Sequence, residues 1–175
     1  ACPREIFEDY QNWQFKLEKQ PVQFLTEELY PALKESRKSL AAFLGCDQDE
    51  VLFFPNPTTA ISNIIYNLDL KPGDEVLMTD HEYGALVRAW NAWGKKSKVY
   101  IKNAHITLPL ESKDKFFEDI SNKISSKTKV IFLSQITSPT GLVFPIQDII
   151  DYAKKRKIIT IVDGAHVPGH IDLNI

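Results

Sequence analysis

Cysteine is scarce in this chain of 175 residues: only Cys2 and Cys46 occur, far apart and in no Cys-x-x-Cys arrangement. That scarcity argues against a zinc ribbon, a dithiol redox centre or a disulfide-rich secreted domain, and a reducing cytoplasm is the expected setting. Excess charge of either sign is missing too. Lysine and arginine number 21 against 23 acidic residues, for a net charge of -2, so nothing in the balance calls for a polyanion and nucleic acid is not an expected partner. The densest basic run, Lys154 to Lys157, closes a predicted helix, where cations complement the helix dipole. No apolar stretch approaches the length of a membrane span, and the first ten residues carry charges where an export signal needs an apolar stretch, so no membrane association is expected. Internal repeats, low-complexity linkers and a Gly-x-Ser-x-Gly nucleophile elbow are also lacking, which disfavours a serine hydrolase.

What is present is a core-forming composition, 43% hydrophobic, in a length that suits one ordinary domain. Residues Pro3 to Glu18 and Val22 to Leu44 carry apolar groups at helical spacing, among them Leu25, Leu29, Leu33, Leu40 and Phe43, with Gly45 as the stop. From there strand and helix alternate. Strands are expected at Val51–Phe54, Glu75–Thr79, Lys98–Lys102, Lys129–Ser134 and Ile158–Val162. Helices are expected at Thr58–Asn67, Ala85–Trp93, Lys113–Ile124 and Ile146–Lys155. This alternation predicts an α/β fold, a mainly parallel sheet sandwiched by helices, with a helical segment over 1–45 and the sheet domain over 46–175.

In such sheets ligands gather at the carboxyl ends of the strands, where the loops diverge. The segments there are Asn56-Pro57-Thr58-Thr59, Asp80-His81-Glu82-Tyr83, Thr137-Ser138-Pro139-Thr140-Gly141 and Asp163-Gly164-Ala165-His166. Asp163 follows an apolar run that reads as a central strand. A carboxylate there either pairs with a cationic ring nitrogen or caps the next helix, and position alone leaves both open. Thr58 and Thr59 stand where strand gives way to helix and could hold a phosphate, although for this loop taken alone a cap at Thr58 is the simpler reading. The loop lacks the glycines of a P-loop or dinucleotide fingerprint. Tyr83 offers a ring to cover an aromatic ligand or simply packs. His166 and His170 have metal-ligand spacing, but Pro168 and Gly169 between them work against one continuous helix, so no metal site is expected. Trp90 and Trp93 read as core or interface residues, and His105 as a surface residue.

Taken in order, these segments resemble the class V aminotransferase family of fold-type I pyridoxal 5'-phosphate (PLP) enzymes, and most of all its isopenicillin-N-epimerase-like members. The resemblance is carried by Asn56-Pro57-Thr58-Thr59-Ala60-Ile61-Ser62-Asn63, Pro72-Gly73-Asp74-Glu75-Val76-Leu77, Asp80-His81-Glu82-Tyr83-Gly84-Ala85, Ser138-Pro139-Thr140-Gly141 with Val143-Phe144-Pro145-Ile146, and Val162-Asp163-Gly164-Ala165-His166. It implies a PLP cofactor held by Thr58, Thr59, Tyr83, Ser138, Asp163 and His166, with Asp163, Tyr83 and His166 as the catalytic set. Asp163 would pair with the pyridine nitrogen, His166 would reach the ring hydroxyl, and Tyr83 would stack where desulfurases carry a histidine.

The resemblance further implies an enzyme acting on a small amino-acid substrate by aminotransferase or epimerase-like chemistry, working as a homodimer. Two other readings stand beside it. One is cysteine desulfurase or kynureninase-like lyase chemistry, and the other is a non-catalytic binding or assembly domain that keeps the fold. In the family, the lysine that bonds the cofactor lies shortly beyond the aspartate, and a small domain with a substrate-binding arginine follows. Neither is found before Ile175, so the chain is expected to be a fragment that is inactive by itself.

Overall fold

The computed structural model describes residues 2–173, and contacts divide them into two compact units that part between Phe53 and Phe54. The first unit is helical. Helix α1 (Arg4–Lys19) ends at Gln20, and Pro21 opens the single turn α2 (Pro21–Gln23), at the first helical position where a missing N–H costs nothing. A π-helical turn (Phe24–Glu28) leads into α3 (Leu29–Leu44). The edge of the Trp13 ring meets Phe24 with centroids 6.0 Å apart, and Lys16 pairs with Glu28 at 2.6 Å. Gly45 ends α3 as expected, because its φ of 75° is a left-handed conformation that glycine adopts without Cβ strain. A turn follows that is closed reciprocally: Asp47 Oδ1 accepts from the Asp49 N–H, and the Asp47 N–H donates to Glu50 Oε2.

The strand expected at Val51–Phe54 does not form. Val51 is extended, but among the described residues no strand lies beside this segment to accept or donate its ladder bonds. Pro55 and Pro57 follow immediately and bring no N–H to extend a ladder.

In the second unit α4 (Pro57–Asn67) precedes four parallel strands: β1 (Glu75–Thr79), β2 (Tyr100–Ala104), β3 (Thr128–Ser134) and β4 (Ile159–Asp163), in the spatial order β2-β1-β3-β4. The crossovers are α5 (Gly84–Ser97), α6 (Lys113–Ser121) and α7 (Gln147–Lys155). Strand β2 begins two residues later than expected because Lys98 takes a left-handed conformation and caps α5.

Because side chains alternate faces along a strand, the sheet sorts its core in two. Val76, Met78, Val130, Phe132 and Ile161 pack with Ile61 and Ile65 of α4 and with Leu86, Trp90 and Trp93 of α5. Leu77, Ile131 and Leu133 pack on the opposite side with Phe116 and Ile120 of α6 and Ile149 and Ala153 of α7. This division follows from handedness. The chain moves one way from β1 to β2 and the other way from β2 to β3, so right-handed crossovers put α5 and α6 on opposite faces. The reversal opens a switch point between the carboxyl ends of β1 and β3.

Trp90 is wholly buried with its ring 5.8 Å from Phe132, and Trp93 is nearly so, as the core reading required. The basic run at the end of α7 places the Arg156 guanidinium over the Tyr152 ring at 3.5 Å. Truncating a buried ring such as Trp90 costs about 3–5 kcal/mol. An exposed ion pair contributes about 0–1 kcal/mol, so packing rather than surface charge holds this unit.

Gly94 lets α5 approach β2. A Cβ there would stand 2.9 Å from the Val99 carbonyl oxygen and 2.9 Å from Ile101 Cγ1. Gly94→Ala is therefore expected to lower stability by about 1–3 kcal/mol in denaturant titration, despite alanine's better helix propensity.

Candidate functional site

The four chemically rich segments meet on one face, at the switch point. A cleft of about 360 Å³ lies there, within the usual range for small-ligand sites. Asn56, Pro57 and Thr58 line it from the start of α4, and Tyr83 and Leu86 from α5. Ser134, Ile136 and Ser138 come from the exit of β3, and Asp163, Ala165 and His166 from the exit of β4. Strand register decides this. Ser134 pairs with Asp163, and both continue the alternation of Phe132 and Ile161, so both side chains face α4 and α5.

Asp163 is 8% exposed. Its Oδ1 accepts from the Ala165 N–H at 3.0 Å, closing a turn, and Oδ2 has no donor among the described residues. No helix follows it there, so the capping reading becomes a turn closure that occupies only half of the carboxylate. Its backbone is anchored separately, the carbonyl accepting from the Gln135 N–H at 3.0 Å.

At the start of α4 the structure corrects the expected cap. Asn56, not Thr58, is the cap, its Oδ1 accepting from the Thr59 N–H at 2.8 Å, because a short amide side chain ahead of Pro57 reaches the third amide of the turn. The Ala60 N–H goes to the Asn56 carbonyl at 3.2 Å, and Pro57 has no N–H. The Thr58 amide and the two threonine hydroxyls are thereby left without a partner among the described residues. Thr58 lines the cleft, whereas Thr59 stands exposed beside it.

The Asp80-His81-Glu82-Tyr83 segment divides. Tyr83, 44% exposed, forms a cleft wall. Asp80 and His81 instead fasten the exit of β2. Asp80 Oδ1 accepts from the Ile106 N–H at 3.0 Å, and Oδ2 lies 2.5 Å from Nδ1 of the exposed His105. His81 Nε2 lies 3.1 Å from the Ile106 carbonyl oxygen, and its ring meets Phe144 edge-on at 5.8 Å. Burial pushes the Asp80 carboxyl up, but the Ile106 N–H, the His105 bond and the charges of both histidines outweigh it and hold it below the ordinary value. Glu82 is buried beneath the cleft between Thr79 and Ser134. Burial pushes its carboxyl up, and the hydrogen bonds from Ser134 and Thr79 oppose that without cancelling it.

The β3–α7 loop is tied by Thr137, which is buried. Its Oγ1 accepts from the Leu142 N–H at 3.0 Å and lies 2.6 Å from Thr140 Oγ1, so that Ser138 stands at the tip facing the cleft. His166 lies at the cleft, and His170 is exposed outside it. No group of three or more metal-ligating residues occurs among the described residues.

The Aminotransferase class-V family profile matches residues 3–175. The chain belongs to the class-V aminotransferase family. Among its relatives, isopenicillin N epimerase of Amycolatopsis lactamdurans is 30% identical over 99% of this chain and 44% of its own length. A probable chloroplastic L-cysteine desulfhydrase of Arabidopsis thaliana is 23% identical over 100% of this chain and 40% of its own length. The structure of a C-DES mutant with glycine covalently linked to the PLP cofactor superposes with a TM-score of 0.87 at 22% identity, covering 98% of this chain and 46% of that one, and thereby shows the shared fold. The chain thus spans less than half the length of each of these relatives. No helix among the described residues is long and apolar enough to cross a membrane.

Sequence reasoning missed Leu86, Ser134, Ile136 and Glu82. The signal for Ser134 was its place at the end of a strand two residues after Phe132. Glu82 carried no such signal, because nothing in a single chain says which loop acid folds inward.

Asp80 predicts a pH dependence. With its folded-state pKa lowered, its contribution is present above the unfolded value, near pH 4, and is lost as pH falls through the folded value. Asp80→Asn should therefore be less stable than the wild type at neutral pH in denaturant titration, by less than about 1 kcal/mol once solvent screening is allowed for, with the gap closing below about pH 4.

Proposed function

We propose that the cleft holds pyridoxal 5'-phosphate and that the intact protein is a PLP enzyme acting on an amino acid by epimerase- or aminotransferase-type chemistry. The observation that carries this reading is the half-satisfied carboxylate of Asp163, buried at a strand end and facing a cleft walled by a tyrosine ring. Asp163 is largely buried, and the oxygen that accepts no bond from the protein is the one free to meet a cationic or hydrogen-bonding ligand in the cleft it lines. The other walls fit the same flat, phosphorylated heterocycle. Leu86 and Ile136 supply apolar surface, Tyr83 a ring face, and the start of α4 a free amide with two hydroxyls at the positive end of a helix.

When bound, this cofactor supplies an electron sink for the substrate's α-carbon. The chain's part is binding, orientation and proton placement. Asp163 would hold a proton on the pyridine nitrogen, favouring the charged ring by roughly 1 to 3 pKa units. Thr58 and Thr59 would take the phosphate, Tyr83 would cover the ring face, and His166 and Ser138 would reach polar groups at its rim. A homodimer is the working assembly that the family resemblance implies, and the exposed Tyr83, Ser138 and His166 are the cleft residues open to a covering surface. The reaction type follows the epimerase relative at 30% identity, and the resemblance, which implies a stacking histidine at the Tyr83 position in desulfurases, favours that direction over desulfuration.

Titration of the intact protein with PLP should develop a visible absorption band that borohydride removes; no band at saturating PLP would refute the reading. Asp163→Asn should keep PLP bound while slowing turnover by roughly 10- to 1000-fold, the range set by losing that pKa support.

A further inference from the structure

Glu82 has no part in the chemistry described above, yet it is among the most confined polar groups in the sheet unit. It is 5% exposed, with Oε1 accepting from Thr79 Oγ1 at 2.6 Å and Oε2 accepting from Ser134 Oγ at 2.6 Å. No cation pairs with it among the described residues. An acid buried without a counter-charge adds little to stability that an apolar side chain of similar size would not add better. Its use therefore lies in what it connects. Its chain neighbour Tyr83 is the N-cap of α5 and a wall of the cleft. Ser134 lines the floor of the cleft and is the register partner of Asp163, whose carbonyl is held by the next residue, Gln135.

We propose that Glu82 is a positioning residue of the cofactor cleft, a clamp that ties the β1–α5 turn to the end of β3 and so fixes Tyr83 relative to Asp163. The purpose of the clamp rests on the cofactor reading, but the clamp itself is a property of the cofactor-free protein. Burial raises the Glu82 carboxyl against the pull of both hydroxyls. A neutral side chain of the same length that hydrogen-bonds at both ends meets the need, and glutamine is such a side chain. Leucine fills the space and bonds neither hydroxyl.

The test uses amide hydrogen exchange in the intact, cofactor-free protein, followed at three amides. Those of Leu86 and Val87 donate to the Tyr83 carbonyl, at 2.9 and 3.0 Å, and that of Gln135 donates to Asp163. Glu82→Leu should speed their exchange about tenfold or more and weaken PLP binding about tenfold, while Glu82→Gln stays within about threefold of wild type in both. Thr79→Val touches Glu82 but does not line the cleft. It removes one of the two contacts, together with the longer bond that Thr79 Oγ1 accepts from the His81 N–H at 3.2 Å, and should speed the same amides about threefold, which keeps the clamp open to refutation if the leucine variant does not fold.

Wild-type exchange in a folded Glu82→Leu or Thr79→Val protein overturns the clamp, as does a glutamine variant as impaired as the leucine one. A wild-type protein that fails to bind PLP, while exchange follows the expected order, overturns the cofactor reading alone.

Discussion

Everything at the cleft depends on the parallel register of β3 against β4. Ser134 and Asp163 are partners across that ladder, and because side chains alternate faces, this single pairing sends both toward α4 and α5. A slip of one residue would turn Asp163 toward α6 and α7, away from Thr58 and Tyr83. The register is itself enforced by burial. Val130, Phe132 and Ile161 are held in one core cluster and Ile131 and Leu133 in the other, so a slip would expose or misplace several large apolar side chains at once. Each misplaced side chain forfeits about 1.5–3 kcal/mol, which exceeds any gain a loop contact could return.

Around that fixed point the loops are secured by hydrogen bonds of different kinds. Asn56 caps α4, Asp80 and His81 fasten the exit of β2, Thr137 closes the loop that carries Ser138, and Glu82 joins two strand ends from below. These groups turn their polar atoms to other parts of the protein, while Asp163 Oδ2, the Thr58 amide and the Tyr83 ring remain turned to the cleft. The division separates residues that shape the site from residues free to meet a ligand.

Much of this was legible in the sequence, for reasons that differ by element. The strands Glu75–Thr79 and Thr128–Ser134 and the helices around Trp90 and Ile149 announce themselves through apolar periodicity, because burial and periodicity are the same constraint seen twice. The Val51–Phe54 run has the composition of a strand but no neighbouring strand among the described residues. Composition cannot supply a hydrogen-bonding partner. The cap at Asn56 was legible but passed over: asparagine caps better than threonine, and Pro57 suits the first helical position that follows a cap. Tyr83, Ser138 and His166 could be placed at strand exits by topology. Ser134 could be placed at a strand end but not beside Asp163, and Glu82 could not be placed at all, because both roles depend on which strands become neighbours.

The central claim is that Asp163 completes its carboxylate with the protonated ring nitrogen of the cofactor. The nitrogen-15 chemical shift of ring-labelled PLP bound to the intact protein tests it most directly. A protonated nitrogen that becomes neutral in Asp163→Asn is the predicted result, and a neutral nitrogen in the wild-type protein would contradict the account.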